Sequence, residues 1–312
     1  MPSSLPSASG VLSIAIPVLN FADFLPATLE SILCQEFGNV IEVLVYDGGS
    51  KDATPEYMKQ VIWRFPNVRY VRALKPGGID LDISRCVDLT NSQYCWLFSG
   101  DDIMHRNGLR RALENIQLCE PDLILMRHNE CDLEMNYIKD WPVLIVNEDF
   151  QYNLSLKHTR NDYLEKAQSS EAFFSFMSGL VIKRQVWSSY ESSVRSMSSN
   201  WAHISRIWKA ISEKENFLLS YLHEPILNRR GGNDSFSKDG MLSRLDIQIN
   251  GLLDTMEEIF SLESTEVVNL KRVINNEVFP DWAAAVENYL RSQNNGELVQ
   301  QKFNQMIARI SN

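Results

Sequence analysis

Four short apolar runs, each alternating with a segment of helical period, dominate the N-terminal half of this chain and leave few folds open to it. They are Val11–Val18, Val40–Tyr46, Val68–Val71 and Tyr94–Phe98. Runs of this length, rich in Val, Ile and Leu and bounded by turn residues, read as buried strands. Between them, Leu25, Leu29, Ile32 and Leu33 recur at helical spacing until Gly38, and Pro55 to Phe65 forms a second helical pattern. Strands that alternate with helices pair in parallel through right-handed crossovers. The expected fold is therefore α/β, an open, mostly parallel sheet with helices on both faces. Ligands of such sheets bind beyond the carboxyl ends of the strands. Three of the four strands deliver polar, Gly-rich or carboxylate residues at that edge.

The pattern continues with a helix over Leu109–Leu118 and a strand over Asp122–Met126, then loses its period from Arg127 to about Arg160, which reads as hairpins and loops. A strand at Gly179–Lys183, an amphipathic helix at Ser199–Glu213 and a strand at Phe217–Tyr221 follow. From Gly240 onward the apolar repeats, such as Leu242/Leu245/Ile249 and Leu252/Met256/Ile259, are all helical. This predicts a leader over 1–10, an α/β domain over 11–238 and a C-terminal helical region over 239–312. The apolar stripes of that region are too long to stay exposed and are expected to pack on the α/β domain or on a second subunit, leaving a homo-oligomer open.

A formal net charge of -10 argues against nucleic acid as a partner, because phosphate backbones call for a basic excess. Five cysteines, Cys34, Cys86, Cys95, Cys119 and Cys131, are odd in number and include no C-x-x-C pair. Cys34 and Cys95 lie in apolar runs and read as small core residues. Met1 to Gly10 has neither a basic start nor an apolar stretch, and Val11–Leu19 is too short to span a bilayer. A cytoplasmic protein is expected, with peripheral docking at the inner face of the cell membrane still open.

Two loops carry the chemistry. Asp47-Gly48-Gly49-Ser50-Lys51-Asp52-Ala53-Thr54 joins a strand to a helix, and its glycines let backbone N–H groups approach an anionic or hydrogen-bonding ligand. The same residues also suit a tight turn with Asp52 or Thr54 capping the helix. Asp101 and Asp102 close a buried strand. Adjacent carboxylates there repel each other, and Mg²⁺ or Mn²⁺ bridging to a nucleotide diphosphate would compensate them; the other reading is an acidic helix start.

In order and spacing these elements resemble the family 2 glycosyltransferases, whose domain has the A-type nucleotide-sugar fold. The resemblance covers about 11–238. Ile16-Pro17-Val18-Leu19-Asn20 looks like that family's opening P-x-x-N strand end, the Asp47 loop like its D-G-G-S-x-D-x-T, the Asp80/Asp82 stretch like its second base-binding Asp, and Leu97-Phe98-Ser99-Gly100-Asp101-Asp102 like its D-x-D-D. Gly78-Ile79-Asp80-Leu81-Asp82 and Tyr94 to Ser99 are most similar to deoxysugar transferases such as abequosyltransferases of O-antigen or polysaccharide synthesis. The resemblance implies a pyrimidine nucleotide diphospho-sugar donor and a carbohydrate acceptor on a lipid. It places Pro17, Asn20, Asp47, Gly49, Ser50, Asp80, Asp82, Ser99 and Gly100 at the donor and Asp101 and Asp102 at the metal. It also makes Arg229 and Arg230, in a segment similar to the family's R-x-x-x-S, a diphosphate clamp.

Two departures keep other readings open. Ser99 stands where the family has the first Asp of D-x-D. The helix that carries the family's basic Asp reads Asn200-Trp201-Ala202-His203-Ile204 here, so His203 becomes the expected general base, against a half-buried histidine on the helix edge. A nucleotide-sugar-binding module without turnover is the rival. A nucleotidyltransferase is disfavoured because the first loop lacks a basic, Gly-rich phosphate cradle.

Overall fold

The computed structural model describes residues 10–193, 195–233, 240–278 and 296–311. The expected leader, the boundary near 238, Asp234 and Ser235 lie outside the described residues, apart from Gly10. Twelve strands are described: β1 (Leu12–Val18), β2 (Glu42–Asp47), β3 (Val68–Arg72), β4 (Tyr94–Leu97), β5 (Ile103–Met104), β6 (Leu123–Met126), β7 (Asn129–Cys131), β8 (Tyr137–Asp140), β9 (Phe150–Asn153), β10 (Leu180–Lys183), β11 (Leu218–Leu222) and β12 (Leu227–Arg230). Eight form one sheet in the order β3-β2-β1-β4-β10-β6-β11-β9, and four form a smaller one in the order β5-β12-β7-β8. The pairs among β1, β2, β3 and β4 are parallel, whereas β10 and β9 run antiparallel to their neighbours.

All seven residues of β1 are buried, as in a strand covered on both faces. The period of two sorts the strands into two cores. Ile14, Ile16, Val43, Val45 and Trp96 meet α1 (Leu25–Leu33), α2 (Thr54–Arg64) and α4 (Gly108–Cys119) on one face. On the other, Ala15, Leu44, Tyr46, Cys95 and Leu97 meet α3 (Ile79–Asp88) and α7 (Ala202–Glu213). Leu245, Leu252, Met256, Leu270 and Ile274 from the C-terminal helices join this second core. These helices therefore complete the sheet's cover on that face.

One local expectation changes. Cys34 is exposed, because α1 ends at Leu33 and turns the next residue outward; Cys86, Cys95 and Cys131 are buried. The stretch Ile79 to Asp88 is a helix, although Ile79-Asp80-Leu81-Asp82-Ile83 alternates like a strand. Among the described residues no helix is long and apolar enough to cross a membrane.

Candidate active site

The loops after β1 and β2 are zipped together by side chains. The Asn20 N–H donates to Ser50 Oγ at 2.8 Å, and the Lys51 N–H donates to Asn20 Oδ1 at 2.8 Å. The Phe21 N–H donates to Thr54 Oγ1, and the Ala22 N–H to an Asp52 oxygen. Asn20 takes a left-handed backbone (φ 62°) to make this turn, and Gly49 does so at φ 103°. Asp47, fully buried, holds the loop: Oδ1 accepts the Gly49 and Ser50 N–H groups at 2.9 and 2.7 Å, while Oδ2 accepts from Tyr70 Oη and lies 3.4 Å from Arg72 Nε. Both oxygens are thus engaged by the protein. The turn and the ligand readings of this loop coincide, since Asp47 shapes a backbone that a ligand then meets. Burial and the Asp47 carboxylate push the Tyr70 phenol up.

Asp82 is the freer carboxylate of this corner. It lies so close to two glycines that a Cβ at Gly48 would come within 2.4 Å of Oδ2, and one at Gly77 within 2.8 Å of Oδ1. It is buried, and burial raises its pKa against the opposing pull of the Arg85 charge and the Gly77 N–H. Asp80, expected beside it, points elsewhere: its oxygens accept the Asn200 and Ala202 N–H groups at 2.8 and 3.0 Å, which caps α7. A helix start leaves such donors unpaired, so this carboxylate serves the fold and not an open donor pocket.

The second corner follows β4. A Cβ at Gly100 would come within 2.7 Å of Val18 Cγ1 and 2.9 Å of a Phe21 ring carbon, so only glycine lets this loop lie against the end of β1. The two adjacent carboxylates diverge. Asp101 Oδ1 accepts the Ser99 hydroxyl and Oδ2 accepts Asn233 Nδ2 at 2.9 Å. Asp102 is buried, with Oδ1 on the Arg230 N–H at 2.9 Å and Oδ2 on the Ser178 hydroxyl at 2.6 Å. Burial, then the charge of Asp101, lifts Asp102 to about 8. Protein donors thus supply much of the compensation that a cation was expected to give, and Asp102 is turned into the fold. Asp101, on the loop at the sheet edge, suits a single carboxylate ligand in an oxygen site completed by a diphosphate. Among the described residues no group of three His, Cys, Asp or Glu is arranged to hold a metal ion.

The clamp and the base depart furthest from expectation. Arg230 donates from Nε to the Asp101 carbonyl at 2.9 Å and from Nη1 to the Leu133 carbonyl, with its guanidinium 5.0 Å from the Phe24 ring. It braces the Asp101 loop and does not reach outward. Arg229 faces the other side of the small sheet, 3.3 Å from Glu130 Oε2 and 3.9 Å from Glu171 Oε1. His203 is enclosed at 4% exposure, beside the Trp201 ring and with Nε2 donating to the Phe174 carbonyl at 3.1 Å. Its Nδ1 is buried without a partner, and burial pulls the ring down to about 4. An imidazole so placed is a weak base shut off from solvent, which is not what an expectation of near-neutral titration required.

Pro17, Asn20, Asp47, Gly49, Ser50 and Asp82 therefore form one corner, and Ser99, Gly100, Asp101 and Asp102 the other, on neighbouring strands. Asp80, His203 and Arg229 sit apart from them. Sequence reasoning missed Tyr70 and Arg72, which stand on one face of β3, and Ser178, whose hydroxyl both anchors Asp102 and accepts the Ser99 N–H at 2.9 Å. Asn233 lay inside the Arg229 segment and could have been found there.

The family profile described as Glycosyl transferase family 2 matches residues 13–175. The abequosyltransferase RfbV of Salmonella typhimurium is 29% identical over 275 residues, 85% of this chain and 79% of that protein. The structure of TarS from S. aureus in complex with UDP-GlcNAc aligns with a TM-score of 0.65 at 12% identity, over 96% of this chain and 81% of that one. The mannosyltransferase PcManGT from Pyrobaculum calidifontis, in complex with GDP-Man and Mn²⁺, aligns with a TM-score of 0.55 at 12% identity, over 97% and 85%.

Proposed function

This chain belongs to glycosyl transferase family 2, and from that premise we propose that it moves a sugar from a pyrimidine nucleotide diphospho-sugar to a carbohydrate acceptor in bacterial surface polysaccharide synthesis. One observation carries the reading. Asp82, in the first turn of α3 with its oxygens against Gly48 and Gly77, and Asp101, on the loop whose Gly100 packs on Val18, stand at the two corners beside the end of β1. A nucleotide diphospho-sugar laid between them would offer hydroxyls to Asp82 and, with a cation, its diphosphate to Asp101. Asp82 and the backbone shaped by Asp47 hold the base and ribose end. Pro17 and Asn20 form the wall between the corners, and Asp101 faces the diphosphate. Ser99, Asn233 and Arg230 fix the Asp101 loop, and Ser178 fixes Asp102.

Asp101 is the residue that would hold Mg²⁺ or Mn²⁺, which supplies positive charge to the leaving diphosphate when bound. The donor sugar is a deoxysugar, a reading supported by the similarity to the Salmonella abequosyltransferase, and the acceptor is a carbohydrate carried on a lipid. The reaction inverts the anomeric centre, as the family suggests, and the enzyme works at the inner face of the cell membrane. The rival, a nucleotide-sugar-binding module without turnover, draws on Ser99 in place of a carboxylate and on the carboxylate-free start of α7. Calorimetry with CDP-, UDP- and GDP-sugars, with Mn²⁺ and with chelator, tests the donor site. Preference for a pyrimidine nucleotide that Asp82→Asn removes is expected; equal weak binding of all three would overturn the assignment.

A further inference from the structure

The segment 195–200, which leads into α7, and the helices after Gly240 enclose an open polar cleft of about 270 Å³. One turn of those helices, Ile247–Gly251, is π-helical, and the Trp201 indole N–H donates to the Ile247 carbonyl at 2.8 Å. Single π-helical turns inside α-helices are frequent at functional sites. A Cβ at Gly251 would come within 3.0 Å of the Trp201 ring, so glycine lets the two walls approach. The polar groups of the cleft hold one another in place. Asn250 Nδ2 donates to Asp246 Oδ1 at 2.6 Å, and Asn250 Oδ1 accepts Arg309 Nη1 at 2.8 Å. Arg195 lies 3.2 Å from Asp254 Oδ2 and 3.8 Å from Glu258 Oε1, and the Ser193 and Ser196 hydroxyls donate to Glu258. Asp246 and Asn250 also line a second cavity, of about 420 Å³, which runs on to Ser243 and to Lys302 and Gln305 of the helix Gly296–Ser311. Sharing that pair, the two cavities make one groove at the scale of ligand clefts, about 300–1,000 Å³.

The lining limits what the groove takes. Asp246, Asp254 and Glu258 surround the first cavity and turn a phosphate or carboxylate away. A metal ion has no cage there: among the described residues no three His, Cys, Asp or Glu are arranged for one, and Asp254 and Glu258 are engaged by Arg195. A hydrocarbon would strip water from carboxylate, amide and hydroxyl groups without replacing its bonds. A neutral ring bearing hydroxyls donates to carboxylate and amide oxygens and accepts from amide N–H groups. Among the described residues Asp246 Oδ2 and the Asn200 side-chain amide make no hydrogen bond, so both are open to such a ring. The Asn200 end of the groove is also tied to the donor corner. Its N–H is held by Asp80, which shares the first turn of α3 with Asp82. We propose that the groove from Asn200 across Asp246 and Asn250 to Lys302 binds the acceptor saccharide, one ring in each cavity. The C-terminal helices then carry the acceptor as well as covering the sheet.

The acceptor role rests on the transferase reading, whereas saccharide binding has its own readout. Methyl pyranosides and 1,4-linked disaccharides of gluco, galacto and manno configuration are titrated into the full chain by saturation-transfer NMR, with CDP and UDP titrated into the same samples. At least one disaccharide is expected to bind, and more tightly than its methyl pyranoside, because it fills both cavities. Asn200 has a left-handed backbone (φ 69°), so Asn200→Gly keeps the chain path and removes only the amide. That variant and Asp246→Ala should each weaken the disaccharide about fivefold to tenfold, the worth of one hydrogen bond, with CDP and UDP affinity unchanged. No binding by any saccharide, or binding indifferent to both variants, overturns the groove. Displacement of the disaccharide by CDP or UDP also overturns it, since the sugar then sits in the donor corner. Nucleotide binding without saccharide binding sinks the groove alone. Saccharide binding without nucleotide binding sinks the donor reading and with it the acceptor role. Should the variants not fold, hydrogen exchange on the wild type decides: protection by the disaccharide over 196–200 and 246–255 supports the groove, and protection elsewhere rejects it.

Discussion

Replacing His203 by Gln separates a structural histidine from a catalytic one. Gln reaches the Phe174 carbonyl much as Nε2 does but does not titrate. In the folded chain burial takes the ring from its ordinary 6.5 to about 4. The folded pKa is depressed, so the unfolded chain binds the extra proton first. His203 then gives full stability above pH 6.5 and loses it as pH falls through the folded value. The shift corresponds to about 3 kcal/mol over the whole window and about 2 kcal/mol between pH 7.5 and pH 5. Urea unfolding of wild type and His203→Gln at those two pH values reads the difference directly, since other groups cancel between the proteins. The variant should be about 2 kcal/mol less sensitive to acid and should keep turnover within a few-fold at pH 7.5. Equal acid sensitivity in both proteins would refute the buried, neutral imidazole. A turnover loss of about 10²–10⁴ at unchanged stability would restore the general base.

Three further outcomes follow from the site. Asp101→Asn should bring donor affinity with Mn²⁺ down to the value measured with chelator while leaving the fold intact by circular dichroism; a retained metal effect would place the cation elsewhere. Gly100→Ala forces a methyl against Val18 and Phe21 and should cost about 1–3 kcal/mol in denaturant unfolding, together with donor binding, because the two corners are pushed apart. Asp80→Ala should cost about 1 kcal/mol as a lost helix cap, with donor affinity unchanged. A large affinity loss in that variant would return Asp80 to the nucleotide.

The strands and the loops at their ends were legible because β1, β2 and β4 are short, apolar and followed by Asn, Gly or Asp, and those features are local. What was not legible depended on distant partners. Helix α3 reads as alternation because Asp80 and Asp82 are themselves buried, one under the start of α7 and one between two glycines. The small sheet gathers β5, β7, β8 and β12 from separate parts of the chain, each two to four residues long, so no periodicity could reveal it. Arg229 and Arg230 look alike in sequence, yet strand alternation sends one to Glu130 and the other to the Asp101 carbonyl. The two arginines therefore stand on different sides of the small sheet and not side by side as a clamp would need. Ser99, read as a lost ligand, donates to Asp101 and accepts nothing from it, which leaves the loop one charge lighter and its carboxylate hydrogen-bonded.

The central claim, that the two corners serve transfer and not mere binding, meets its most direct test in the release of nucleoside diphosphate from the preferred pyrimidine nucleotide-sugar. The assay runs with Mn²⁺, with water alone and with a bacterial lipid-linked oligosaccharide fraction as acceptor, on wild type and Asp101→Asn. The account predicts slow release in water, faster release with incorporation of sugar into the lipid-linked fraction, and loss of both in the variant. Tight donor binding with no release under either condition would contradict it and leave the chain a binding module.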